Sequence, residues 1–94
     1  MVYIDAVHYD RDYHGCDVIT KLRWTNSLSS KATNECTKRE MIDFINKNPG
    51  VTKTKYYGYY GWVVGEDVRV VDNEYLRTDS NRIKADNLGK LPRF

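Results

Sequence analysis

Asp10, Asp12, His14 and Cys16 fall at alternate positions, so an extended segment presents all four on one side, and all four are metal-ligand types. On a straight strand they spread over roughly 20 Å, at about 3.3 Å per residue, and one ion gathers them only around a sharp turn. A solvated hairpin loop accounts for the same residues, and no metal is expected. Cys16 with His8 or His14 supplies the two partners of a thiol nucleophile pair. Such chemistry also needs an orienting third group and an oxyanion hole, and no elbow motif surrounds either cysteine. No serine lies in a Gly-x-Ser-x-Gly context, and Gly58, Gly61 and Gly65 precede no Lys-Ser/Thr pair of the phosphate-loop kind. Glu66 and Asp67 are adjacent carboxylates, which point to opposite sides of a strand and cannot flank one bond. Neither catalysis nor a cofactor is expected.

The most suggestive surface is the run from Lys53 to Trp62, where cations interleave with rings. Read as one strand, Lys53, Lys55, Tyr57 and Tyr59 share a face, and Tyr56, Tyr60 and Trp62 share the other with Gly58. One face must supply core, and Tyr56, Tyr60 and Trp62 are assigned to it. The other face then offers two rings for stacking, each worth about 1–3 kcal/mol against a base, and two ammonium groups for phosphate. Tyrosine is also simply a good strand residue with an amphipathic ring.

These residues need elements to hold them. Val2 to Tyr9 is rich in β-branched and aromatic types and reads as a strand, with an imperfect alternation that calls for either two partly covered faces or a bulge. Asp17 to Trp24 alternates more cleanly, with Val18, Leu22 and Trp24 on one side and Ile19, Lys21 and Arg23 on the other, and the two strands should form an antiparallel hairpin. Residues 25–36 read as a long exposed polar loop. Thr37-Lys38-Arg39-Glu40 is a capping box, Cys36 and Met41 fit a hydrophobic staple, and Met41, Phe44 and Ile45 make a helical apolar stripe that Ile42 widens. Lys47-Asn48-Pro49-Gly50 stops the helix, with Asn48 suited to a left-handed cap. Residues 52–64 read as extended with bends at the glycines, Val68 to Val71 as a short strand, Asp72-Asn73 as a turn, and Glu74 to Thr78 as the return. The tail, with Ile83, Leu88, Leu91 and Phe94 spaced apart, reads as a loop packed on the sheet. The expected fold is a single α+β domain over 1–94, in the order β-β-α-β-β-β. One twisted antiparallel sheet of four to five strands carries one helix on one face.

Composition agrees with a small folded domain. Ninety-four residues bury about 60–65% of their unfolded surface, so the core is thin. Aromatic content of 13% and a net charge of +2 argue against intrinsic disorder. The charge is uneven: residues 1–20 hold four acids and one base, and residues 21–60 eight bases and three acids. A basic middle suits an anionic partner. No stretch is apolar enough to span a membrane, and the opening Met1-Val2-Tyr3-Ile4-Asp5 lacks the basic start of a secretory leader. Two cysteines twenty residues apart then imply reduced thiols and a cytoplasmic protein.

Tyr75-Leu76-Arg77-Thr78, Ala85-Asp86-Asn87-Leu88 and Leu91-Pro92 together resemble the ending of a family of small bacterial and phage proteins, domain of unknown function 3892. Upstream, Arg23-Trp24 at the end of a second strand and the Thr37-capped helix resemble it more loosely, so the likeness covers roughly the whole chain. The resemblance implies one domain and carries no activity to transfer. Its occurrence in phages implies a module that counteracts a host system by sequestering a signal.

Physically, Arg77 with Asp79, Asp86 and Asn87 suits a buried ion pair and an Asx-type turn that satisfies loop backbone groups. The same Arg77, Asp86 and Asn87 could alternatively read a polar ligand. The leading expectation is a non-catalytic binding module with Lys53, Lys55, Tyr57, Tyr59, Arg77, Asp86 and Asn87 as its ligand residues, for an anionic, nucleotide-like molecule. The alternatives are an adaptor or inhibitor that pairs through a sheet edge with a host protein or a second copy, and a weak single-stranded nucleic-acid binder.

Overall fold

A computed structural model describes residues 1–78 and 86–94. Strand β1 (Val2–Arg11) and strand β2 (Asp17–Thr25) form the expected antiparallel hairpin, and two bulges set its phase. The register slips at Asp5 in β1, between the pairs Ile4–Trp24 and Ala6–Arg23. It slips again at Thr20 in β2, between His8–Lys21 and Tyr9–Ile19. Each extra residue flips the alternation, so Ile4, Val7 and Tyr9 of β1 meet Trp24, Leu22 and Ile19 of β2 on one side. This corrects the placement of Ile19, which is fully buried in the core, while Val18 is half-buried.

The polar stretch after β2 is only partly loop. Asn34–Thr37 forms a short edge strand, β3, paired antiparallel with β2. Helix α1 (Lys38–Lys47) starts at the capping box: the Glu40 N–H donates to Thr37 Oγ1 at 3.1 Å, and the Thr37 N–H donates to Glu40 Oε1 at 3.0 Å. Met41, Ile42 and Ile45 are buried against the sheet. Asn48 closes the helix by donating its N–H to Phe44 and Ile45, and the left-handed residue there is Gly50 rather than Asn48.

Because β3 runs with β1, and α1 returns across the face of the sheet, the next strand emerges running the same way. Strand β4 (Thr52–Gly58) therefore pairs parallel with β1, through Val2–Thr52, Tyr3–Lys53 and Ile4–Thr54. Among the described strands this is the one parallel pair in an otherwise antiparallel sheet of order β3-β2-β1-β4-β5, and a parallel bridge from Val7 to Arg93 follows it along the same edge of β1. Strand β5 (Gly61–Asp67) returns from a tight turn at Tyr59-Tyr60. The expected single extended run is thus a hairpin, and Tyr59 does not share a strand face with Tyr57. Gly65 sits where β5 bulges, and a Cβ there would lie 2.3 Å from Thr54 Oγ1.

Strands β6 (Arg69–Val71) and β7 (Tyr75–Arg77) make a separate small hairpin against α1. Its turn holds Asp72 and Asn73 at φ 52° and 54°, the left-handed geometry that this residue pair tolerates. Arg39 of the helix donates to the Asn73 carbonyl at 3.0 Å. One apolar cluster joins Val2, Ile4, Val7, Ile19, Leu22, Met41, Ile42, Ile45, Val68, Leu76 and Leu88. No helix among the described residues is long and apolar enough to cross a membrane.

The two thiols differ sharply. Cys16 is exposed in the β1–β2 loop, where the Asp12 carboxylate accepts the His14 and Cys16 N–H groups. Cys36 is the staple residue; burial, then Glu40 and Glu35, push its thiol up to about 11. A thiol reagent at neutral pH should therefore label one equivalent rapidly at Cys16 and the second only on unfolding. Two fast equivalents in Ellman titration of the native protein would contradict the placement of Cys36.

Candidate functional site

The site follows from a fork in the sheet. Strand β4 holds the edge of β1 only as far as Ile4 and then diverges with β5. Further along that edge the C-terminal tail takes over: Val7 donates to the Pro92 carbonyl at 2.9 Å, and Phe94 donates to the Val7 carbonyl at 3.0 Å. Between the two partners, at Asp5 and Ala6, the bulged strand has neither, and a cleft of about 660 Å³ opens there. Bulges beside a site re-aim side chains in this way. Tyr56, Tyr57 and Trp62 wall it on the hairpin side, Leu88, Leu91 and Pro92 on the tail side, and Lys31 and Lys90 also line it.

The tail is pinned at both ends. Asp86 has a side chain 0% exposed, yet three donors reach it. Ile19 N–H and Lys38 Nζ lie each 3.0 Å from Oδ2, and the Leu76 N–H lies 2.9 Å from Oδ1. Asn87 bridges to β7, donating its N–H to the Leu76 carbonyl and accepting from the Thr78 N–H, while its side-chain oxygen takes the Gly89 N–H at 3.0 Å. Arg77 is buried on β7 beside Asn87. These groups deliver what a loop-anchoring motif requires, and a ligand-reading role for Asp86 gives way to that anchoring, since its acceptors are already taken. Asp79 lies outside the described residues. At the far end Phe94 lies under the Arg23 guanidinium, 4.1 Å from its ring centroid, with its carbonyl at His8 Nδ1, and Arg93 covers Tyr9 at 4.2 Å.

The lysine-tyrosine face needs correction. Lys55 is not exposed: among the described residues it is the largest of the fully buried side chains. Its ammonium donates to the carbonyls of Ser27 (2.9 Å), Leu28 (3.3 Å) and Ser30, and stands 4.1 Å from the centroid of the Trp62 ring. Three donors meeting three acceptors saturate the group. Burial pulls its pKa below the ordinary lysine value, against the opposing pull of the Asp5 carboxylate. Asp5 itself accepts the Ala32 N–H at 2.8 Å, so Asp5 and Lys55 together strap the Ser27–Ala32 loop onto the sheet. Lys53 is engaged as well, 2.9 Å from Asp67 across the hairpin.

Tyr57 is 71% exposed and meets Trp62 edge-on at 5.2 Å. Tyr59, 95% exposed, pairs with Tyr60 at the tip, away from the cleft. Tyr56 and Tyr60, assigned to the core, are exposed instead, and Trp62 is half-buried. The tight turn accounts for Tyr60, which it places at the tip, and for Trp62, which it moves onto β5, while Tyr56 lies on β4 past Thr54, where that strand has left β1. Lys31 and Lys90, the cations that line the cleft, carried no sequence signal. One sits in the polar loop and the other in the tail, and only the fork brings them together.

The fold and cleft define a small α+β domain with a ring-lined recess and no recognisable catalytic constellation among the described residues. The chain belongs to the family described as protein of unknown function, DUF3892, which matches residues 4–92. No curated protein and no solved structure matches the chain.

Proposed function

We propose that this protein is a non-catalytic binding module whose forked cleft holds a small anionic molecule with a planar ring, of nucleotide type. One observation carries the reading: Tyr56, Tyr57 and Trp62, with Lys31 and Lys90, line one recess of about 660 Å³, within the range of small-molecule sites. The rings offer stacking surface and the lysines offer charge to a phosphate. Glu66 lines the same cleft, so the anionic group is directed to the lysine side. In a phage setting such a module would act by sequestering a host signal.

Thermal unfolding across a panel of mono-, di- and cyclic nucleotides tests this. A binder at a hundred times its Kd stabilises by about 2.7 kcal/mol, which is a shift of roughly 10–20 °C for a domain of this size. Trp62→Ala should weaken binding by about 5- to 150-fold, the loss of one stacked ring, and Lys31→Ala with Lys90→Ala should abolish the phosphate dependence. No shift with any nucleotide at millimolar concentration removes the reading.

A further inference from the structure

Strand β5 ends the sheet, and no other strand among the described residues pairs with its outer side. Sheet edges invite pairing and are ordinarily guarded by lysine, proline or a bulge. The bulge of β5 comes only at Gly65–Glu66, and its charges only at Glu66 and Asp67. Gly61 to Val64 is unguarded. The whole stretch from Tyr56 to Gly65 contains no charged residue, and Tyr56, Tyr57, Tyr59, Tyr60, Val63 and Val64 are all exposed on it. This is an apolar, ring-rich surface continuous with backbone donors and acceptors that no other strand among the described residues pairs.

We infer that this edge pairs with a second copy of the chain, β5 against β5, antiparallel about a two-fold axis, to make a ten-stranded sheet across two subunits. Charge selects both occupant and direction. Antiparallel pairing centred on Val63, which then faces its own copy across the axis, lays Glu66 and Asp67 of each copy beside Tyr60 and Tyr59 at the uncharged hairpin tip of the other and leaves the two acidic ends at opposite poles. Parallel pairing would set acid against acid, which destabilises a cross-strand pair. A two-fold contact also needs a patch that complements itself, and a short neutral strand flanked by acid on one side and rings on the other does so. The inference does not rest on the cleft reading, and a monomer could still bind a nucleotide.

Sedimentation equilibrium of the full chain, from low to high micromolar concentration, reads the result directly. The expected outcome is a concentration-dependent species of twice the chain mass. Val63→Lys should weaken it roughly tenfold or more, because the two-fold axis sets the two lysines directly opposite each other and like charges so placed destabilise a cross-strand pair. Val63 is an exposed edge residue, so the variant should keep its circular dichroism, and its unfolding midpoint at dilutions where the wild-type chain is monomeric. Tyr13→Ser removes a still more exposed ring at the β1–β2 loop, away from β5, and should leave the dimer intact. A wild-type chain that stays monomeric throughout overturns the inference. So does a dimer that survives in both folded Val63→Lys and folded Val64→Lys, or one lost in Tyr13→Ser alone.

Discussion

Asp86→Ala is expected to be the most damaging single substitution at the site, costing about 3–5 kcal/mol, the loss typical of removing one member of a buried ion pair. The carboxylate joins three parts of the fold that no strand ladder connects: β2 through the Ile19 N–H, the first turn of α1 through Lys38, and β7 through the Leu76 N–H. Alanine leaves two backbone donors and an ammonium without their acceptor, and Lys38 keeps a side chain only 20% exposed. For a domain of this length the midpoint of thermal unfolding should fall by roughly 12–40 °C. With total stabilities near 5–15 kcal/mol, that leaves little in hand. Asp86→Asn keeps one acceptor oxygen and should lose less. Because Asp86 starts the tail that walls the cleft, nucleotide-dependent stabilisation should disappear in the alanine variant even at temperatures where it remains folded. A midpoint within about 3 °C of wild type, under one kcal/mol at this size, would mean that the tail is held elsewhere.

Helix α1 was legible because its signals are local: Thr37 and Glu40 cap one turn, and Met41, Ile42 and Ile45 repeat at helical spacing. The Asp72-Asn73 turn was legible for the same reason. The parallel β1–β4 pairing was not, since it joins Val2 to Thr52 through buried threonines that carry no apolar alternation. The hairpin at Tyr59-Tyr60 was hidden because its glycines flank the turn instead of occupying it, and an unbroken aromatic run looks like an unbroken strand. The role of Asp86 was half-legible. An Asp in that motif plainly serves backbone donors, but its Ile19 partner lies 67 residues away and leaves no mark nearby. The exposed face failed at Lys55 on similar grounds, since its acceptors are backbone carbonyls of a loop 25 to 28 residues earlier, and carbonyls have no sequence signature.

That buried lysine supplies the second large effect. Lys55→Met keeps most of the stem against Trp62 and deletes the ammonium, so the Ser27, Leu28 and Ser30 carbonyls lose their shared donor. The expected cost is about 1–3 kcal/mol, limited by the water that can reach an exposed loop. Amide exchange over Ser27–Lys31 should quicken while that of the core strands is unchanged. The pH dependence has a definite sign. With the folded pKa of Lys55 below the ordinary 10.5, there is an alkaline window in which the unfolded chain still holds a proton that the folded one has released. The unfolded state binds more protons there, so this group's contribution to stability rises with pH up to 10.5. Cys36 acts oppositely, because its folded pKa is raised from 9.0 to about 11, and its contribution is lost as pH climbs through that interval. Wild type and Lys55→Met share the cysteine, so subtracting their stabilities isolates the lysine. The gap between them should widen on the alkaline side, as measured by urea unfolding at stepped pH below 10.5. A gap that narrows would show that the three carbonyls hold the proton more strongly than burial expels it.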